Sequence, residues 1–221
     1  MFGRIARRYD LANHLLSGGL DFGWRRRAAE IVRQWQPQRV LDLATGSGDL
    51  ALTIKKTVPE AEVTAADFCA EMLAVARVKG LANTVVADAL HLPFADGSFD
   101  VVTVAFGLRN MANWDAALRE MSRVLAPGGH LLVLDFSLPR GALLRPVYRA
   151  YLHHVLPRIA GLLTGAPGAY QYLGASIEKF PSGDAMCALI EASGFSGATA
   201  EGLSGGIVTM YCAAVRSTCR A

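Results

Sequence analysis

No stretch of this 221-residue chain approaches the roughly 18 uncharged residues that a bilayer-spanning helix needs, although 52% of its residues are hydrophobic. A membrane-spanning protein is therefore not expected. The opening Met1-Phe2-Gly3-Arg4 has no apolar h-region, so neither a secretory leader nor an N-terminal anchor is expected either. Cys69, Cys187, Cys212 and Cys219 show no CxxC or zinc spacing, which argues against a structural metal and for reduced thiols in a cytoplasmic protein. The basic residues are not interleaved with aromatics into a platform, so nucleic acid is a poor partner. Internal repeats and low-complexity tracts are lacking as well.

At this length the chain is most simply one domain, residues 1–221, with a sizeable core. Its charge is uneven. Residues 1–39 carry eight arginines against Asp10, Asp21 and Glu30, a net of +5, which leaves −2 for the remainder. A basic face of that kind suits either solvent or anionic lipid headgroups.

The chain is organised around Val40-Leu41-Asp42-Leu43-Ala44-Thr45-Gly46-Ser47-Gly48-Asp49-Leu50. An apolar run ending in a carboxylate, then two glycines, then a helical pattern reads as strand, tight turn and helix N-terminus, with backbone open to a ligand. Gly46-Ser47-Gly48-Asp49-Leu50-Ala51 satisfies the dinucleotide fingerprint G-x-G-x-x-G/A, with Asp67 at about the ribose-binding distance. Two features favour S-adenosylmethionine instead. Asp42 stands in the strand end, where it can meet the donor's ammonium directly or through water. Asp49 opens the helix, where it suits the dipole but repels a pyrophosphate seeking that N-terminus.

Helices are expected over 4–17 and 22–35, 49–57, 71–77, 114–125 and from 184 to about 193. Strands are expected over 61–67, 83–89, 99–105 and 130–136. Residues 198–202 and 207–215 pair across Ser204-Gly205-Gly206 as a closing antiparallel hairpin. The near-continuous apolar run 99–105 demands a parallel sheet covered on both faces. Residues 140–180 break the alternation as an inserted helical lid, and residues 1–38 form an N-terminal helical layer. His153 and His154, being adjacent, point to different helix faces and make a poor metal pair. Asp67 suits a ribose, because a carboxylate accepts both hydroxyl protons, or a helix cap. Asp88 and the backbone of Ala89 suit the edge of an adenine. Phe106-Gly107-Leu108-Arg109-Asn110 lies beyond a strand end, where open α/β sheets place their chemistry; Arg109 reads as a substrate-side cation or a loop ion pair.

Together these residues resemble the ubiquinone/menaquinone biosynthesis C-methyltransferase family over nearly the whole chain. The likeness rests on Tyr9-Asp10-x-x-Asn13…Ser17…Trp24, the loop from Val40 to Asp49, Phe106–Asn110, Arg123–Gly129 with Asp135-Phe136-Ser137, Tyr170-x-Tyr172-Leu173…Phe180-Pro181, and Gly205-Gly206-Ile207-Val208. Ser47, Asp21, Ala12, Ala126 and Asp135 depart from its usual residues. The resemblance implies a Rossmann-like class I methyltransferase: a mostly parallel seven-stranded sheet, helices on both faces and an antiparallel C-terminal hairpin. It implies transfer of a methyl from S-adenosyl-L-methionine to a ring carbon of a prenylated quinol. The donor-binding set is then Asp42, Gly46, Ser47, Gly48, Asp67, Phe68, Asp88, Ala89 and Ala105, the last standing where some relatives offer a serine. Arg109, Asn110 and Tyr9 are the catalytic set: the guanidinium stabilises phenolate charge, and a water held by the three takes the proton, with Asp10 and His14 as rivals. The ring carbon must sit about 3–3.5 Å from the methyl, in line with the departing sulfur. The lid supplies an apolar channel for the prenyl tail, and contact with the inner face of the cell membrane is peripheral. A homodimer is compatible with the chain. An NAD(P)-dependent oxidoreductase and a non-catalytic, donor-binding subunit are the alternatives.

Overall fold

The computed structural model describes residues 17, 19–139, 141, 144–155 and 167–216, with the side chains of 167–172 left aside. The helix expected over 4–17, with Tyr9, Asp10, Asn13 and His14, therefore lies outside the described residues, as does Cys219. The first described helix, α1 (Leu20–Gln34), starts after Gly19, whose φ of 79° suits glycine. It buries Asp21, Trp24, Ala28 and Val32, one stripe at helical spacing. There follow β1 (Arg39–Leu43), α2 (Asp49–Thr57), β2 (Glu62–Asp67), α3 (Ala70–Val78), β3 (Thr84–Val86), β4 (Phe99–Ala105), α4 (Trp114–Val124) and β5 (Leu125–Phe136). The lid contributes α5 (Leu144–Ala150), a π-helical turn (Tyr151–Val155) and α6 (Pro167–Lys179); α7 (Asp184–Ala192), β6 (Phe195–Leu203) and β7 (Val208–Val215) close the chain.

The seven strands run in the order β3-β2-β1-β4-β5-β7-β6. β1 to β5 run parallel to one another, and β7 is antiparallel to both β5 and β6. Alternation along the strands builds two cores. Leu41, Val102, Val104, Leu131 and Val133 face α4 and α7 through Leu118, Met121, Met186 and Ile190. Val40, Val63, Val101, Leu132 and Leu134 face α1 and α2 through Ala28, Val32, Leu50 and Ile54. Both faces are covered, as the apolar run 99–105 requires.

Three boundaries differ from expectation, each for a local reason. β3 stops at Val86 because Asp88 turns the chain, accepting from Leu90 N at 2.9 Å and bridging to His91. β5 begins at Leu125, directly from α4, since Leu125 pairs with Phe99 before the register shifts ahead of Val101. β6 begins at Phe195 and bulges between Ser196 and Thr199, where Gly197 takes a φ of 65°.

Candidate active site

Sheet order reverses about β1: the chain builds outward through β2 and β3 on one side, then returns to add β4 on the other. Crevices at such switch points hold ligands. A cavity of about 550 Å³ opens there, beyond the carboxyl ends of β1, β2 and β4. Asp42, Gly46, Ser47, Asp67, Phe68, Asp88, Ala89, Ala105, Arg109 and Asn110 all line it. Tyr9 lies outside the described residues. Gly48 is not among the residues lining the cavity. It holds φ 87°, and a Cβ there would sit 2.4 Å from Leu81 Cδ1 and 3.1 Å from Ala76 Cβ, so glycine lets α2 pack against the α3–β3 connection.

The strand-end carboxylates are each held by a different kind of donor. Asp42, almost fully buried, accepts from Thr45 Oγ1 at 2.6 Å and Thr103 Oγ1 at 2.7 Å. Burial pushes its pKa up to about 6, against the pull of those hydroxyls and of Arg25. Asp67 accepts from Gly46 N and Cys69 N, both at 2.8 Å, so it ties the glycine loop to the start of α3. Both expectations for Asp67 thus meet at one carboxylate: it organises a helix start, although Cys69 is the N-cap itself, and it faces the cavity. Phe68 beside it is 79% exposed, an apolar ring with its surface open to the cavity.

Ser47 is occupied in a way the loop alone does not show: its hydroxyl accepts from Lys79 Nζ at 2.8 Å, and the same ammonium reaches Asp49 Oδ1 at 2.8 Å. Arg25 Nη2 lies 3.8 Å from the other oxygen of Asp49 and pairs with Asp21, which accepts from Ser17 Oγ at 2.6 Å. Asp49 is therefore compensated by two cations, so its charge alone does not turn away a pyrophosphate.

On the β4 side, Phe106 adopts φ 59°, a left-handed conformation costly for a bulky residue. It is held by Phe106 N donating to Leu134 O at 2.7 Å. Its carbonyl accepts from Arg109 Nη1 at 2.6 Å and Asn110 Nδ2 at 3.4 Å. The next residue, Gly107, approaches the cofactor-side loop so closely that a Cβ would fall 2.5 Å from Ala44 Cβ. Arg109 is buried and paired with the fully buried Asp135: Nη1 to Oδ1 is 2.7 Å, and Arg109 N donates to Oδ2 at 3.2 Å. Its guanidinium carbon lies 5.2 Å from the centre of the Phe136 ring. The Nε of Arg109 is buried with no hydrogen-bond partner among the described residues. Arg109 is thus an ion-pair member that also lines the cavity.

Sequence reasoning missed Asp135 as the partner of Arg109. The signal was present: a single carboxylate inside Leu131–Phe136 calls for a buried cation, and β5 runs beside β4, with Leu134 opposite Ala105. It named Phe106, Trp24 and Phe136 within its motifs but not as one aromatic wall, with rings 4.8–6.3 Å apart.

The described fold agrees with what the chain resembles among known proteins. A family model described as the ubiE/COQ5 methyltransferase family matches residues 1–215. The chain is 53% identical over 201 residues to a demethylmenaquinone methyltransferase of Thermus thermophilus, covering 89% of this chain and 91% of that one. It is 45% identical over 216 residues to the ubiquinone/menaquinone biosynthesis C-methyltransferase UbiE of Syntrophotalea carbinolica, covering 96% and 91%. A SAM-dependent methyltransferase of Thermotoga maritima shares the fold, with TM-score 0.70 at 18% identity over 97% of this chain and 98% of that one. These findings decide between the two cofactor classes the loop admits: the enzyme is a methyltransferase using S-adenosyl-L-methionine, not an oxidoreductase. The chain belongs to the ubiE/COQ5 methyltransferase family.

Proposed function

We propose that this chain transfers a methyl group to a ring carbon of a prenylated quinol of the demethylmenaquinol type. The carrying observation is a second cavity of about 390 Å³ that shares Ser17, Trp24, Phe136 and Leu173 with the first. Its other walls are apolar or aromatic, from Leu20 of α1, the lid and Ile207. One chamber offers carboxylates and an exposed ring; the adjoining one offers hydrocarbon. That pairing suits a polar donor beside a polar head with a long greasy tail. Each CH₂ buried in the second chamber contributes roughly 0.8 kcal/mol.

The residues present fit the donor. Phe68 offers a stacking face, Asp88 and Ala89 an edge for the base, Asp67 unused lone pairs for a ribose, and Asp42 a charge for the ammonium. The bound donor supplies an electrophilic methyl on a cationic sulfur. Everything else falls to the chain. A quinol carbon becomes nucleophilic when its neighbouring hydroxyl is deprotonated, and the unpartnered Nε–H of Arg109 is the donor that meets the resulting oxyanion. Arg109 is permanently charged and cannot itself take the proton. A water held by Asn110 and Arg109 takes that proton; once the carbon has gained the methyl and the electron pair of the broken S–CH₃ bond has stayed on sulfur, the same relay takes the displaced ring proton and the ring regains its aromaticity. Phe106, Phe136 and Trp24 provide flat apolar surface for the ring.

Among the described residues no helix is long and apolar enough to cross a membrane; the greasy tail of the proposed substrate is our ground for assigning the enzyme peripheral contact with the membrane that holds it. The decisive experiment is transfer of a labelled methyl from S-adenosyl-L-methionine to a short-tailed demethylnaphthoquinol. Labelled product supports the reading. Binding of S-adenosylhomocysteine without any product would leave a donor-binding subunit, and the enzymatic reading would fail.

A further inference from the structure

The mouth of the second cavity is built from side chains that solvent ought to repel. Leu20 on α1 is 53% exposed, and Val147 and Leu144 on α5 are 65% and 43% exposed, yet all three also line the chamber. α5 buries only Tyr148 and turns the rest of Leu144–Ala150 outward. A solvent-facing helix normally presents polar residues on that side; this one presents Leu144, Pro146 and Val147 beside Arg145 and Arg149.

The charge written into the lid sequence is of one sign. From 136 to 177 the sequence contains no aspartate, glutamate or lysine, while it carries Arg140, Arg145, Arg149 and Arg158 with His153 and His154. Arg149 and His153 pair with Glu178, the first carboxylate after that stretch. Arg145 is exposed and has no ion-pair partner among the described residues. Apolar lips flanked by arginine are what a helix needs to lie in the headgroup region of an anionic bilayer.

We propose that the outer face of α5, with Leu20 beside it, seats on anionic lipid, so that the second cavity opens directly into the bilayer. A prenyl tail can then slide from lipid into the chamber without its apolar surface meeting water. This inference rests on the proposed substrate class for its purpose, but its test does not.

Flotation of the full chain with vesicles of phosphatidylglycerol and phosphatidylcholine, against phosphatidylcholine alone, reads the contact directly. The wild type is expected to float with the anionic vesicles at low salt and to be released at high salt. Val147→Glu should sink. Arg145→Glu should lose roughly twentyfold in partitioning, since each unit charge near such a surface is worth roughly fivefold. Arg145 touches neither cavity, so the Arg145→Glu variant should bind S-adenosylhomocysteine and methylate a short-tailed quinol as the wild type does. A wild type that stays with the soluble fraction, while still methylating that quinol, overturns the docking face and leaves the enzymatic reading intact. Variants that float like the wild type overturn it too, moving the contact elsewhere, for instance to the arginines of residues 1–39. If the lipid-free wild type sediments as a dimer that Val147→Glu dissolves, the face belongs to a second copy and the lipid assignment fails. Anionic flotation lost in both variants supports it, whatever the substrate proves to be.

Discussion

Asp135 and Arg109 offer the sharpest test of how the site is held, because stability and turnover should separate there. The carboxylate is fully buried and the guanidinium 3% exposed. Removing one member of such a pair strands the other charge, at about 3–5 kcal/mol. Asp135→Asn keeps the shape and one acceptor for Phe136 N, which donates to Asp135 at 2.8 Å, so it should lie near the lower end, about 3 kcal/mol. For a chain of this size that lowers the melting temperature by roughly 6–12 °C. In an Arg109→Met background the stranded charge is gone, and the same change should cost only about 1 kcal/mol, a coupling of about 2 kcal/mol. Urea unfolding of the four proteins measures it. Methyl transfer divides them differently. Asp135→Asn lets the guanidinium wander and should lower kcat about 10–100-fold while S-adenosylhomocysteine affinity stays. Arg109→Met and the double variant should lose about 100–1,000-fold. Arg109→Lys can pair with Asp135 and recover stability, but it has no Nε–H aimed from that position and should not recover turnover. Additive stability effects, or a lysine variant with wild-type kcat, would refute the reasoning.

Other consequences follow from the donor side. Because burial holds the Asp42 pKa at about 6, above the ordinary carboxylate value, its neutral form is favoured by folding: the contribution is complete below about pH 4 and is lost as pH rises through 6. The bound ammonium reverses that preference, so S-adenosylhomocysteine affinity should be flat above about pH 6.5 and fall up to tenfold per unit below 6, with proton release seen by calorimetry in buffers of different ionisation enthalpy; Asp42→Asn should bind weakly and without that slope. Asp67→Ala removes the acceptor for Gly46 N and Cys69 N as well as the ribose contact, two or more charge-assisted bonds of about 1.5–3 kcal/mol each, so affinity should fall at least 100-fold by titration. Gly107→Ala pushes its new methyl into Ala44 and should weaken donor binding and lower the melting temperature together; unchanged binding would show that the two loops are not in register contact.

Much of this was legible in the sequence because the relevant chemistry is local. Asp42, Asp67 and Asp88 each end or follow an apolar run, and a carboxylate closing a parallel strand lies at the ligand-binding edge whichever way the helices pack. The glycines at 46 and 48 announced the turn, though only the structure separates their duties: Gly46 faces the cavity, while Gly48 serves helix packing. What stayed hidden depends on partners far apart in the chain. Lys79 reaches Ser47 across 32 residues, and Arg109 reaches Asp135 across 26. No periodicity encodes either meeting, since both depend on which strands become neighbours. The early end of β3 was hidden for a smaller reason: the side chain of Asp88 bonds its own backbone and stops a run whose composition still favoured a strand.

The way each carboxylate is satisfied explains how one crevice can serve two ligands of opposite charge. Asp42, Asp67 and Asp88 accept from hydroxyls and backbone N–H groups, which are neutral, so their negative charge remains available to a cationic donor along β1, β2 and β3. Asp135 is instead neutralised by Arg109, which leaves on the β4–β5 side one buried Nε–H with no partner among the described residues. A free guanidinium there would attract any anion; on the reading proposed above, the paired one meets an oxyanion whose ring lies against Phe136 and Phe106. The two environments meet where Gly107 passes Ala44, the place at which a side chain would hold the loops apart. On the reading proposed above, the donor's cation and the acceptor's oxyanion meet across that contact.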